Sequence, residues 1–150
     1  SLKFVIFRPH NIFGPRMGFA HVIPQLIKKF LNKKNSFINV DNPLHKRTFC
    51  HIDYAIKLIL KISHNKSTSG QIYNIGAPTR EISINELAKQ IKKILNSEKK
   101  IISTKTINKD HSPKKRKPQM NKSKVFLKDK HNFEQGLSNT VKWYKNYYLN

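Results

Sequence analysis

Phe4-Val5-Ile6-Phe7 is the stretch on which the fold class turns. An unbroken apolar run of β-branched and aromatic residues has the composition of a strand buried on both faces, as in a parallel sheet. Such a strand needs neighbours. Arg8-Pro9 ends the run, and Asn11 to Phe19, with Gly14-Pro15 and Gly18, reads as a loop. From His21 to Lys34 the apolar residues Val22, Ile23, Leu26, Ile27, Phe30 and Leu31 fall at helical spacing, with Pro24 tolerated in the first turn. Phe37-Ile38-Asn39-Val40 reads as a short strand, stopped by the Asp41-Asn42-Pro43 turn. Asp53 is expected to cap a helix carrying Ala55, Ile56, Ile59, Leu60 and Ile62, and Gln71 to Ile75 to form a further strand closed by Gly76 and Pro78.

Ser83-Ile84-Asn85-Glu86 is a capping box, in which hydroxyl and carboxylate reciprocally satisfy free backbone N–H groups. It opens a helix with Ile84, Leu87, Ala88, Ile91, Ile94 and Leu95 on one face. Ile101 to Thr104 reads as a strand, Asn108 to Gln119 as a polar basic loop and Lys122 to Leu127 as a short helix. A last helix from about Phe133 carries Leu137, Val141, Tyr144 and Tyr148 at helical spacing. Strands mixed with helices place the chain in the α/β class.

The 150 residues include 30 Lys+Arg against 8 Asp+Glu, a net charge of +22. Charge of this size suggests an anionic partner. The arginines are only Arg8, Arg16, Arg47, Arg80 and Arg116; the other cations are lysines among abundant Asn and Ile, the residues an AT-rich coding bias inflates. Base-reading surfaces rely on the bidentate geometry of Arg, so nucleic acid is not the expected partner. The alternative reading is a basic nucleic-acid-binding module built on Lys99 to Lys130, where 12 Lys/Arg face Asp110 and Asp129 and where Ser112 to Pro118 forms a short basic run. A single cysteine, Cys50, excludes an internal disulfide framework and any CxxC motif. No apolar run approaches the ~18 residues of a membrane span. Ser1-Leu2-Lys3 lacks a secretory pattern, so a cytoplasmic setting without membrane contact is expected. Cys50, His51 and Asp53 are a tempting metal trio, but neighbouring strand side chains point to opposite faces and no metal site is expected.

Five segments in order resemble one family pattern. Phe7 to Met17 is similar to the strand-and-loop "RxxNxxGPR", and Arg47 to Asp53 to "RxFxxVxD". Tyr73 to Gly76 is similar to a "YNIG" strand, Lys115 to Gln119 to an "RRKPD" loop, and Lys122 to Leu127 with Glu134 to Tyr144 to the helices that end the family's chains. The family is that of the extended short-chain dehydrogenases acting on nucleotide sugars, the NAD-dependent epimerases and dehydratases, with UDP-glucose 4-epimerases and UDP-glucuronate decarboxylases as the nearest types. The resemblance covers residues 1–150 as the C-terminal half alone. It implies the last strands of a Rossmann-type parallel sheet plus a small α/β substrate lobe.

A complete member opens with a glycine-rich loop for the NAD pyrophosphate and carries a Tyr-x-x-x-Lys pair for proton transfer. Gly14, Gly18, Gly70, Gly76 and Gly136 cannot form such a loop, and no tyrosine here has a lysine four positions on. No catalytic residue is therefore expected in this chain, and alone it should be silent: a part of a longer or split enzyme, or a remnant. NAD is the cofactor the resemblance implies, and a nucleotide sugar converted through a 4-keto intermediate the substrate. It also assigns Arg47 and Arg116 to the diphosphate, Asn11 to a hydrogen bond with substrate, His21 and Val22 to the nucleotide at a helix start, and Val40 to the base. Pro9, Ile12 and Arg16 fall in the segment facing the nicotinamide. Gln119, Asp41 and Tyr54 stand where the family usually has Asp, Gly and Asp, which touches substrate choice rather than fold. Homodimers are common in the family, through helices of the other half.

Overall fold

The computed structural model describes residues 2–104 and 113–149. Strand β1 (Val5–Pro9) pairs in parallel with β6 (Gln71–Ile75), Val5 opposite Gln71 and Pro9 opposite Ile75. Between them run β2 (Ile12–Phe13), α1 (Val22–Leu31), β3 (Phe37–Asp41), β4 (Lys46–Arg47), β5 (Cys50–His51) and α2 (Ile52–Ser63). After β6 come β7 (Ile82–Ser83), α3 (Ile84–Ile94), β8 (Lys100–Thr104), β9 (Lys115–Arg116) and α4 (Phe133–Leu149). β2 pairs with β5 and β3 with β8, both in parallel, while β4 lies between antiparallel β7 and parallel β9. Parallel pairing of strands separated by helices is the α/β architecture the apolar run and the helical spacings imply.

Two cores form. Around α2, Tyr54, Ala55, Leu58 and Ile62 bury against Tyr73 and Ile75 of β6, with Cys50, Met120 and Leu127. In the other, α1, α3 and α4 close over β3 through Ile23, Leu26, Ile27, Phe30, Ile38, Val40, Leu87, Ile91, Leu137 and Tyr144. The spacing of Ile23, Leu26, Ile27 and Phe30 keeps them on one helical face, and the alternation in β3 turns Ile38 and Val40 inward.

Several expectations are corrected. The Phe4–Phe7 run is buried on one face only: Val5 and Phe7 pack toward the α2 core, whereas Phe4 and Ile6 are 50% and 45% exposed beside Ile72 at 39%. Among the described residues no second layer covers that side. The cap of α2 is His51, whose imidazole accepts the Asp53 N–H, because the strand runs straight into the helix and leaves Asp53 inside its first turn. On α2 the contact with β6 selects the stripe of Tyr54, Leu58 and Ile62, leaving Ile56 and Leu60 half-exposed. Lys122 to Leu127 shortens to a single 3-10 turn, Lys124–Phe126. Within the expected 108–119 loop, β9 appears at Lys115–Arg116, and residues 105–112 lie outside the described residues.

The capping box forms as read. Ser83 Oγ accepts the Glu86 N–H at 3.1 Å, and the Glu86 carboxylate accepts the Ser83 N–H at 2.6 Å. That backbone hydrogen bond holds the Glu86 carboxyl below its ordinary range. Ser83→Ala is expected to cost about 1 kcal/mol, read as a lower urea midpoint with an unchanged slope.

Candidate functional site

The register of β4 on β9 sets Lys46 opposite Lys115 and Arg47 opposite Arg116. Register partners on adjacent strands share a face, so the two arginine side chains leave one face of the strand pair and the two lysine side chains the other. Like charges directly opposite one another are destabilising. A ladder of two such pairs becomes favourable when an anion lies against it, and planar guanidinium forks suit phosphate oxygens. Arg47 is half-buried, and its Nη1 donates to Lys46 O at 2.7 Å and Lys114 O at 3.3 Å, which anchors the fork to β4 and β9. Arg116 is exposed.

The segment from Pro118 to Ser123 holds β9 in place. Gly76, at the end of β6, leaves room for Pro118: a Cβ there would stand 2.8 Å from Pro118 Cγ. Asn74 Nδ2 donates to Gln119 O at 3.0 Å, and Ser123 Oγ donates to Asn74 O at 2.6 Å. The strand carrying Arg116 is thereby stapled to the parallel pair.

The loop after β1 lies nearby. Cys50 N–H donates to Asn11 O at 3.1 Å, and Arg47 is three residues before Cys50, within about 11 Å of that bond along an extended chain. Asn11 and Arg16 adopt left-handed backbone, at φ 45° and 62°, uncommon away from glycine and concentrated at functional sites. Asn11 Nδ2 is buried without a hydrogen-bond partner. Pro9 and Arg16 are exposed, and Ile12, paired with Cys50, is half-buried against the α2 core. His21 is the exposed first cap of α1 and makes no side-chain capping bond, while Val22 is half-buried against the main core. Val40 is fully buried, so its side chain is core and offers a base no surface.

A histidine pair, His51 buried and His131 half-buried, which the sequence does not announce, ties α4 to this region. His51 N–H donates to His131 Nε2 at 2.9 Å, so His131 must be neutral at that nitrogen. Its Nδ1 and His51 Nε2 are buried without partners. Burial, reinforced by the neighbouring His51, pushes His131 down to about 4, and burial also lowers His51 against the pull of Asp53. Unfolded, His131 takes up its proton near pH 6.5, while in the folded chain it resists protonation until about pH 4. Stability is therefore fully present above pH 6.5 and falls as pH drops toward 4, by on the order of 2 kcal/mol once solvent screening is allowed for. Urea unfolding at pH 7 and pH 4.5 measures this, and His131→Gln is expected to flatten the slope.

Among the described residues no group of three or more His, Cys, Asp or Glu side chains could hold a metal ion, and no helix is long and apolar enough to cross a membrane. Burial drives the Cys50 thiol up to about 12, which removes it as a thiolate nucleophile. The basic stretch is divided among separate tasks. Lys99 Nζ donates to the carbonyls of Lys29 and Asn32 at the end of α1, and Lys122 donates to Ile72 O at 3.1 Å while lying 4.4 Å over the Tyr73 ring.

Comparison with known proteins gives a consistent picture. UDP-D-apiose/UDP-D-xylose synthase from Oryza sativa subsp. japonica is 32% identical across 63% of this chain and 26% of its own length, and UDP-D-apiose/UDP-D-xylose synthase 1 from Arabidopsis thaliana is 31% identical across 63% and 27%. The UDP-glucuronic acid 4-epimerase of Bacillus cereus, solved with UDP-glucuronic acid and NAD, superimposes with a TM-score of 0.81 at 23% identity over 96% of this chain and 46% of that one. The dTDP-glucose 4,6-dehydratase of Bacillus anthracis, solved with NAD, gives 0.78 at 26% over 95% and 44%. The chain thus spans about a quarter of these curated relatives and about half of these solved chains. The model of the NAD dependent epimerase/dehydratase family matches residues 1–76, from the β1 strand through the Arg47 strand to Gly76, and the chain belongs to that family.

Proposed function

We propose that these residues are the substrate half of an NAD-dependent nucleotide-sugar epimerase or dehydratase, working in the cytoplasm on a UDP- or dTDP-linked sugar through a 4-keto intermediate. The observation that carries the reading is the register pairing of Arg47 with Arg116, two cations on one strand face with the geometry to grip a diphosphate. Names and bound ligands of the relatives point the same way: UDP-sugars and NAD recur among them.

NAD, where bound, would accept and return a hydride. Among the described residues, Pro9 to Arg16 is the segment that would face it, and Asn11 Nδ2, buried without a partner, would be a donor there. The glycine-rich cradle for the pyrophosphate and the Tyr-x-x-x-Lys pair have to come from polypeptide beyond these 150 residues. The residues here bind and orient. Arg47 and Arg116 hold the diphosphate, Asn11 a sugar hydroxyl, and the uncapped start of α1 at His21 and Val22 lies ready for the nucleotide.

Thermal unfolding with added UDP and with added uridine tests the proposal. UDP is expected to raise the melting temperature and uridine at equal concentration to leave it nearly unchanged, since the ladder reads phosphate. Equal effects would contradict the diphosphate assignment. Purified chain supplied with NAD and UDP-glucose is expected to show no turnover.

A further inference from the structure

Tyr144 is fully buried on α4, and its hydroxyl donates to Met17 O across 127 residues of chain. Helical spacing accounts for a core side chain at this position, and phenylalanine would fill nearly the same space. A hydroxyl in a core needs a partner, and the one it has is a loop carbonyl. Met17 lies in the loop from Gly14 to His21, which passes through the left-handed Arg16 and delivers the chain to the start of α1. The loop's own backbone bonds are short in range: Met17 N–H donates to Gly14 O at 3.4 Å and His21 N–H to Gly18 O at 3.1 Å. Each closes a turn of four residues, and neither fixes the loop against another element. Among the described residues, the hydrogen bond that ties it to a distant element is the one from Tyr144.

Phe19 gives the loop a second hold. It is 49% exposed, yet its ring meets Tyr144 edge-on at 5.8 Å between centroids and lies 5.3 Å from Tyr147 and 6.0 Å from Tyr148. Residues three and four apart share one side of a helix, so the three tyrosines form a single seat. Surface loops are mobile unless tied, and a segment ordered only on binding subtracts its lost entropy from the affinity.

We infer that Tyr144 is a positioning residue for the nucleotide: its bond to Met17 O, with Phe19 seated on α4, holds the Gly14–His21 loop in its binding shape before ligand arrives. This rests on the proposed function, which sets a sugar hydroxyl at Asn11, just before the loop, and the nucleotide at His21 and Val22, where the loop ends. Tyr144 itself touches no ligand and acts through the Met17 carbonyl and the Gly18–His21 turn on the start of α1. Without that bond the loop spreads over other shapes, and the apparent affinity falls with the fraction of molecules left in the competent one.

The test combines calorimetric titration with UDP and amide hydrogen exchange on the parent chain, Tyr144→Phe, Phe19→Ala and Ile62→Val. The last lowers stability from within the α2 core, where Ile62 is buried, and serves as the control. Tyr144→Phe and Phe19→Ala are each expected to weaken UDP binding about fivefold to tenfold, and Ile62→Val to leave it within about twofold. Without ligand, the amides from Met17 to His21 are expected to exchange about tenfold faster in Tyr144→Phe than in the parent, and UDP to slow them again. UDP affinity unchanged in both loop variants, or loop exchange unchanged in Tyr144→Phe, would overturn the inference. A loss in Ile62→Val as large as in Tyr144→Phe would overturn it too, by making the effect one of general stability. Circular dichroism checks folding, and Phe19→Ala, which alters a half-exposed side chain, keeps the question answerable if Tyr144→Phe does not fold. A parent chain that binds no UDP defeats the proposed function and with it the nucleotide role, while exchange, which needs no ligand, reports the hold on the loop separately.

Discussion

Arg116→Ala is expected to weaken UDP binding about 10- to 150-fold, the loss of roughly 1.5–3 kcal/mol that a hydrogen bond to a charged group contributes. Arg116 is exposed on a two-residue strand, so removing it should leave stability within about 0.5 kcal/mol and relieve a like-charge pair with Arg47. Affinity and stability thus move independently. Arg116→Lys is expected to recover only part of the affinity, because an ammonium keeps the charge and lacks the planar fork. Isothermal titration with UDP alongside urea unfolding reads both quantities.

Gly136→Ala is expected to be the most damaging single methyl addition in the fold. The new Cβ would stand 2.6 Å from His51 Cγ, 2.7 Å from Cδ2 and 2.8 Å from Cβ, contacts that require a shift. The imidazole has little room to give it: the edge of Phe13 lies against it with centroids 5.3 Å apart, and the His51 backbone is tied to His131. Alanine gains about 1 kcal/mol of helix propensity over glycine, but overpacking typically costs about 1–3 kcal/mol and here also strains the bond that holds α4. A net fall of several degrees in melting temperature is expected for a chain of this size. Gly18→Ala, where the nearest atom to a Cβ is 3.4 Å away, is the control and should be close to neutral.

The sequence was most legible where cause and effect are local. Ser83 and Glu86 cap one another within four residues, so their types and spacing were enough. The apolar composition of Phe4–Phe7 announced a parallel strand, but whether both faces are covered depends on polypeptide that composition does not describe. α2 carries enough apolar residues for two stripes, and only the position of β6 decides that Leu58 is inside and Leu60 outside. Arg47 and Arg116 could not be paired by periodicity. Only the resemblance in motif order links them in the sequence, and the β4–β9 register sets the two residues opposite one another. His131 stood in a polar stretch with no motif around it. Its task is to accept a backbone N–H from 80 residues away, which leaves no local trace. Val40 shows the converse, since its motif position suggested a base contact and its burial makes it core.

The central claim is that Arg47 and Arg116 act on one diphosphate, and a double-mutant cycle measures it. UDP affinity is determined for the parent, Arg47→Ala, Arg116→Ala and the double variant. Shared contact predicts losses that fail to add, with a coupling of about 0.5–3 kcal/mol that vanishes when uridine replaces UDP. Losses that add within about 0.3–0.5 kcal/mol, or that are as large for uridine, would show the two guanidinium groups acting apart and contradict the account.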